Sequence, residues 1–122
     1  MLTRSITPTL LRMAASFPVL AITGPRQSGK TTLARHQFAD KPYVSLEDPV
    51  ERAFANEDPR GFLARFTQGA VFDEAQRWPD LFSHLQGMVD ADRRPGRFIL
   101  TGSQQFGLLA GVTQSLAGRV GM

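Results

Sequence analysis

The run PVLAITGPRQSGKTTLAR, residues 18–35, decides the fold. Its opening, PVLAITG (18–24), is continuously apolar rather than alternating, as expected of a strand buried on both faces of a parallel sheet. From Gly24 through Pro25, Arg26, Gln27, Ser28 and Gly29 to Lys30 and Thr31, the chain matches G-x-x-x-x-G-K-[ST] at every required position. TTLARHQF then continues as a helix. Strand, glycine loop and helix in that order have one well-understood use. The glycines let backbone N–H groups wrap an anion, and the helix turns its positive end toward it. Lys30 would neutralise β- and γ-phosphate oxygens, and the Thr31 hydroxyl would ligate Mg²⁺. Thr32 completes the phosphate-binding set. The stretch therefore reads as a nucleoside triphosphate site.

Outward from that loop, short apolar runs alternate with helical patterns, the signature of a parallel α/β sheet. YVSLE (43–47) is a second strand. Asp48, Pro49 and Glu51 mark a helix start as N-cap, N1 and N3. The helical region 49–66 breaks near NEDPRG, at Pro59 and Gly61. AVFDE (70–74) is a third strand. Pro79 and Asp80 open a helix carrying Leu81, Phe82, Leu85, Met88 and Val89 at helical spacing. DRRPGR (92–97) is a loop, FILTGS (98–103) a fourth strand, and residues 106–119 form one or two short helices. Ahead of all this, Thr7 as N-cap and Pro8 at N1 open a first helix with Leu10, Leu11, Met13 and Ala14 on one face.

With the loop in place, VFDEAQ (71–76) acquires a role. A phosphate loop needs a second metal-side carboxylate at the end of a neighbouring apolar strand, and Asp73 fits it. Glu74 fits a general base that activates the attacking water. Ala75 and Gln76 complete the spelling of a helicase box, which reads as coincidence. FILTGSQ ends a strand with Thr101, Ser103 and Gln104, and Ser103 or Gln104 suits a sensor of the γ-phosphate. Arg119 is either an arginine finger or a surface arginine, and Arg26 either touches phosphate or caps the loop.

Composition narrows the field. At 122 residues the chain is one domain at most. It has no cysteine, which excludes disulfides and thiolate metal sites, and only His36 and His84, too few for a histidine-rich metal centre. No apolar run approaches the ~20 residues of a membrane span, and the expected location is cytoplasmic. The first acidic residue is Asp40, so the basic N-terminus also fits a transit peptide, although a helix is the preferred reading. Twelve of the fourteen basic residues are arginine, leaving Lys30 and Lys41 as the lysines. A net charge of +3 is a weak nucleic-acid footprint, and helicase cores need two tandem lobes. Neither lysine sits in the [NT]-K-x-D context of a guanine reader, and no acceptor pocket for a small-molecule kinase is marked.

Read in order, TGPRQSGKTTLAR, YVSLEDP, GAVFDEAQRWPDLFSHLQGMVD, FILTGSQ and SLAGR resemble a prokaryotic AAA-type ATPase family. Its members usually carry a C-terminal domain of unknown function. The resemblance covers about residues 10 to 121. It implies a three-layer α/β P-loop NTPase core with parallel strand order 5-1-4-3-2, ATP as ligand and Mg²⁺ as cofactor. It places Lys30 and Thr31 in the Walker A role and Asp73 and Glu74 in Walker B. The family continues beyond LAGR, so the single domain, residues 1–122, is expected to be incomplete at its C-terminal end. The fifth strand is expected to be largely missing and the first left as an exposed, aggregation-prone edge. The implied activity is ATP binding, with hydrolysis in the intact protein. The alternative is a non-catalytic nucleotide-binding fragment. Expected partners are the nucleotide, a C-terminal domain or a second copy of the chain, with neither nucleic acid nor membrane indicated.

Overall fold

The computed structural model describes Arg12 and residues 15–23, 30–102 and 120–121, with Thr23, Lys30, Thr31, Val120 and Gly121 described by backbone alone. In chain order the elements are β1 (Val19–Thr23), α1 (Lys30–Gln37), β2 (Tyr43–Ser45), α2 (Pro49–Glu57), α3 (Pro59–Ala64), β3 (Ala70–Asp73), a 3₁₀ turn (Ala75–Arg77), α4 (Asp80–Ala91), β4 (Phe98–Gly102) and β5 (Val120–Gly121). Arg12, Ala15 and Ser16 are helical, and the Ser16 hydroxyl donates to the Arg12 carbonyl at 2.9 Å. The remainder of the expected first helix, including Thr7, Pro8, Leu10, Leu11, Met13 and Ala14, lies outside the described residues, as do the expected helices of 106–119.

All strand pairs are parallel, in the order β2-β3-β4-β1-β5, which is the 5-1-4-3-2 arrangement. Parallel strands buried on both faces explain why β3 and β4 are apolar without alternation: every residue of each is buried. Residue parity then sorts the core into two layers. Leu20, Ile22, Val71 and Ile99 pack beneath Leu33 and Ala34 of α1 and Phe38 just after it. Val19, Ala21, Val44, Ala70, Phe72, Phe98 and Leu100 face Ala55, Phe62, Leu63, Leu81, Phe82, Leu85 and Val89 of α2, α3 and α4. Among the described residues one helix covers one face and three cover the other, as in a three-layer α/β architecture.

The strand expected to be largely missing is present as two residues, β5, in register with Val19 and Leu20. This corrects the expectation of β1 as a bare edge over those two positions. Strands also end earlier than the apolar runs suggested: β2 stops at Ser45, and β3 at Asp73.

Two aspartates set the helix boundaries. Asp48 caps α2, its side chain accepting from Val50 N at 2.9 Å. Asp58 closes α2 through its N–H to Phe54 O and opens α3 by accepting from Gly61 N at 3.0 Å. A single residue therefore makes the break at NEDPRG. Glu51, at N3, pairs with Arg65 at 3.1 Å, and the Arg65 guanidinium lies over the rings of Phe54, Phe62 and Phe66. Phe62 meets Phe54, Phe66 and Trp78 edge-on, at centroid separations of 5.5, 5.6 and 5.4 Å.

At the N-terminal end of the sheet a buried arginine ties α3, α4 and β4 together. The Arg97 guanidinium donates to Met88 O at 2.9 Å, Asp92 O at 3.1 Å and Thr67 O at 2.8 Å. It stabilises the carbonyl end of α4, where a cation is favoured. Burial disfavours its charge and draws its pKa below the usual arginine value. Gly69 is required beside it: at φ 120° it holds a backbone that side chains rarely adopt, and a Cβ there would lie 2.0 Å from Arg97 O.

Candidate functional site

The site forms at the opposite end, where the parallel strands finish together. β1 and β4 end in register, Thr23 beside Gly102, and β3 ends one step past the Phe72–Leu100 pair. Parity places Asp73 and Thr101 on the same face as Val71 and Ile99, the face covered by α1. The six residues from Gly24 to Gly29 join the end of β1 to the start of α1 at Lys30. Asp73 therefore shares both a sheet face and a sheet end with the helix that begins Lys30-Thr31.

The Asp73 carboxylate is buried, 7% exposed, and both of its oxygens accept hydroxyl hydrogen bonds. Thr101 Oγ1 of β4 donates to Oδ1 at 2.5 Å, and Tyr43 of β2 donates to Oδ2 at 2.7 Å. The two flanking strands thus fix the orientation of this one side chain. The Tyr43 hydroxyl pays for its position in acidity: burial first, then the hydrogen bond and charge of Asp73, push its pKa up to about 12. The phenol stays neutral and remains a donor through the ordinary pH range.

Glu74 is 5% exposed and has φ 54° and ψ 50°, the left-handed region. Among the described non-glycine residues it is the only one with positive φ. A side chain there costs roughly 1–2 kcal/mol. Strained positions of this kind concentrate where geometry serves function. The turn is stabilised by Arg77 N donating to Glu74 O at 3.0 Å, and Gln76 Nε2 donates to Glu74 Oε1 at 2.7 Å.

That last contact gives Gln76 a local role beside Glu74 without making the stretch a helicase box. Ala75 is fully buried in the larger core cluster, and Gln76 hydrogen-bonds the neighbouring carboxylate. Tyr43 is the second residue that sequence reasoning missed. Both are ordinary residue types whose partners are set by strand register and turn geometry, and spacing alone marks neither.

The other candidates fall as follows. Lys30 and Thr31 form the first turn of α1, and Thr32 beside them is exposed. Gly24, Pro25, Arg26, Gln27, Ser28, Gly29, Ser103, Gln104 and Arg119 lie outside the described residues. Of the polar residues ending β4, Thr101 is the one described at the site. Among the described residues, no group of three or more acidic or histidine side chains could cage a metal, and no helix is long and apolar enough to cross a membrane.

Comparison with known proteins agrees with this fold. The profile of a family described as an AAA domain matches residues 16–122. An uncharacterized protein of Mycobacterium tuberculosis is 40% identical over 119 residues, as is one of Mycobacterium bovis. Each alignment covers 96% of this chain but 27% of the relative, so the chain spans about a quarter of their length. Among solved structures, the P-loop NTPase domain of the sigma-54 transport activator from E. coli superposes with a TM-score of 0.61. It is 16% identical, with 96% of this chain and 90% of that one covered, a likeness of fold.

Proposed function

Because the chain belongs to the AAA-domain family, a family of P-loop nucleotide-binding folds, we propose that it binds ATP with Mg²⁺ and that the whole protein hydrolyses it. Gly24 to Gly29 wrap the phosphates with backbone N–H groups, and Lys30 neutralises the β- and γ-oxygens. Ser103 or Gln104 would sense the γ-phosphate, and Arg119 would serve there only if it is an arginine finger. Glu74 accepts the proton of the attacking water as the bond between γ-phosphorus and the bridging oxygen breaks.

The donor set suits Mg²⁺, which is usually held by one or two carboxylates while phosphates and water supply its other oxygens. Thr31 and Asp73 would hold it. Bound there, Mg²⁺ supplies neutralisation of the phosphate charge that builds during transfer.

One observation carries the reading: Asp73 projects on the α1 face at the strand end nearest Lys30, its carboxylate held in place by hydrogen bonds from Thr101 and Tyr43. In the relatives the matching segment is about a quarter of the protein. We assign the remainder as the body whose conformation the ATP cycle drives.

Calorimetric titration with ATP and Mg²⁺ tests the site. Saturable binding, weakened about tenfold or more by Lys30→Ala, is the expected outcome. Equal affinity in the two proteins would remove the loop from nucleotide binding.

A further inference from the structure

Tyr43 is described at this end of the sheet, yet the reaction proposed above leaves it without a role. It stands on β2 opposite Val71, while Ser45 stands opposite Asp73. Its long side chain reaches diagonally along the sheet face to place its hydroxyl 2.7 Å from Asp73 Oδ2. The ring is held on two sides. It packs against the cluster formed by α1 and the sheet, and the Arg35 guanidinium lies 4.3 Å from its centroid. Arg35 belongs to α1, the helix that begins with Lys30 and Thr31.

We propose that Tyr43 is a positioning residue for the metal-side carboxylate, setting the strength of Mg²⁺ binding without contacting the nucleotide. This rests on the reading of Asp73 as that carboxylate. A neutral hydroxyl is the appropriate donor: it fixes the carboxylate plane while leaving the negative charge available to a cation. Arg35 is spent on the Tyr43 ring, which becomes a spacer between a cation and the carboxylate. Hydrogen-bond partners behind a ligating group commonly change metal affinity about 10–100-fold when removed.

The test is Tyr43→Phe, which retains the ring and its packing and deletes the hydroxyl. ATP affinity is measured calorimetrically in EDTA and in Mg²⁺, for the parent, Tyr43→Phe and Asp73→Asn, and the ratio of the two affinities isolates the metal's contribution. The expected result is a ratio lowered about tenfold in Tyr43→Phe, with affinity in EDTA unchanged. If Asp73→Asn lowers the ratio and Tyr43→Phe leaves it intact, Tyr43 has no positioning role and the site reading survives. If neither variant moves the ratio, Asp73 is not the metal carboxylate and both proposals fall. An equal loss in EDTA and Mg²⁺ for Tyr43→Phe would overturn the proposal by placing its effect on the nucleotide or the fold. Absence of ATP binding by the parent removes both readings.

Discussion

The two ends of the sheet bury charge in opposite ways. At the N-terminal end, the Arg97 guanidinium is sunk among the carbonyls of Thr67, Met88 and Asp92, and its charge serves to join three elements. At the C-terminal end, Asp73 and Glu74 are as deeply buried, and they accept hydrogen bonds from Thr101, Tyr43 and Gln76. Many carbonyls crowded on a cation fasten the fold. On the proposed reading, the two carboxylates, one of them on a strained backbone, receive a cation and a proton. The same core would then support a structural end and a chemical end.

The largest expected effect separates chemistry from binding. In the whole protein, on the proposed reading, Glu74→Gln should lower turnover by about a hundredfold or more while ATP affinity stays nearly constant, as removal of a general base does. A phosphate-release assay beside calorimetry reads both. Equal turnover would take Glu74 out of catalysis and blur the distinction between the ends.

Next in size is the structural end. Arg97→Met removes a charged donor from three carbonyl groups and should destabilise the fold by about 3 kcal/mol in urea unfolding. ATP affinity of the folded fraction should not change. A loss of nucleotide affinity without loss of stability would show that the two ends are not separable.

Glu74→Gly sharpens the contrast with a smaller effect of opposite sign. Glycine occupies φ 54° without the side-chain penalty, so stability should hold or rise by up to about 1 kcal/mol while turnover is lost. Destabilisation beyond about 2 kcal/mol would mean that the Glu74 side chain supports the fold in the way Arg97 does.

The smallest effect is spectroscopic. Tyr43 is the chain's single tyrosine, so absorbance titration of the phenolate reports on it alone. Its midpoint should lie at about 12, not the ordinary 10, and Asp73→Asn should bring it down part of the way, since burial, the larger cause, remains. Because the folded value is the higher one, this phenol's contribution to stability is intact below pH 10 and lost as pH rises toward 12. A midpoint near 10 in the native protein would contradict the contact with Asp73.

Much of the architecture could be read locally. Continuous apolar runs announced β1, β3 and β4, Asp48 marked one helix start, and Pro59 and Gly61 marked the break that Asp58 makes by its hydrogen bonds. Strand order came from the family resemblance, because apolar runs carry no information about which strand lies beside which. At the candidate site, Asp73 and Glu74 could be singled out because an acidic pair at a strand end means something beside a phosphate-loop motif. Tyr43 was not, because its partner depends on the register of β2 against β3, a non-local pairing. Gln76 was hidden by the left-handed turn at Glu74, a conformation that the sequence gives no reason to expect of glutamate. Burial of Arg97 was equally silent, since an arginine in a loop reads as solvent-exposed until three carbonyls surround it.

The most direct measurement is thermal unfolding with and without ATP and Mg²⁺, on the parent, Asp73→Asn and Arg97→Met. A ligand that binds only the folded chain stabilises it by about 2.7 kcal/mol at a hundred times its Kd. That increment should appear in full for the parent and for Arg97→Met, however much lower the latter melts, and should largely vanish in Asp73→Asn. No increment in the parent, or an undiminished one in Asp73→Asn, would contradict the assignment of the C-terminal end of the sheet as the nucleotide and metal site.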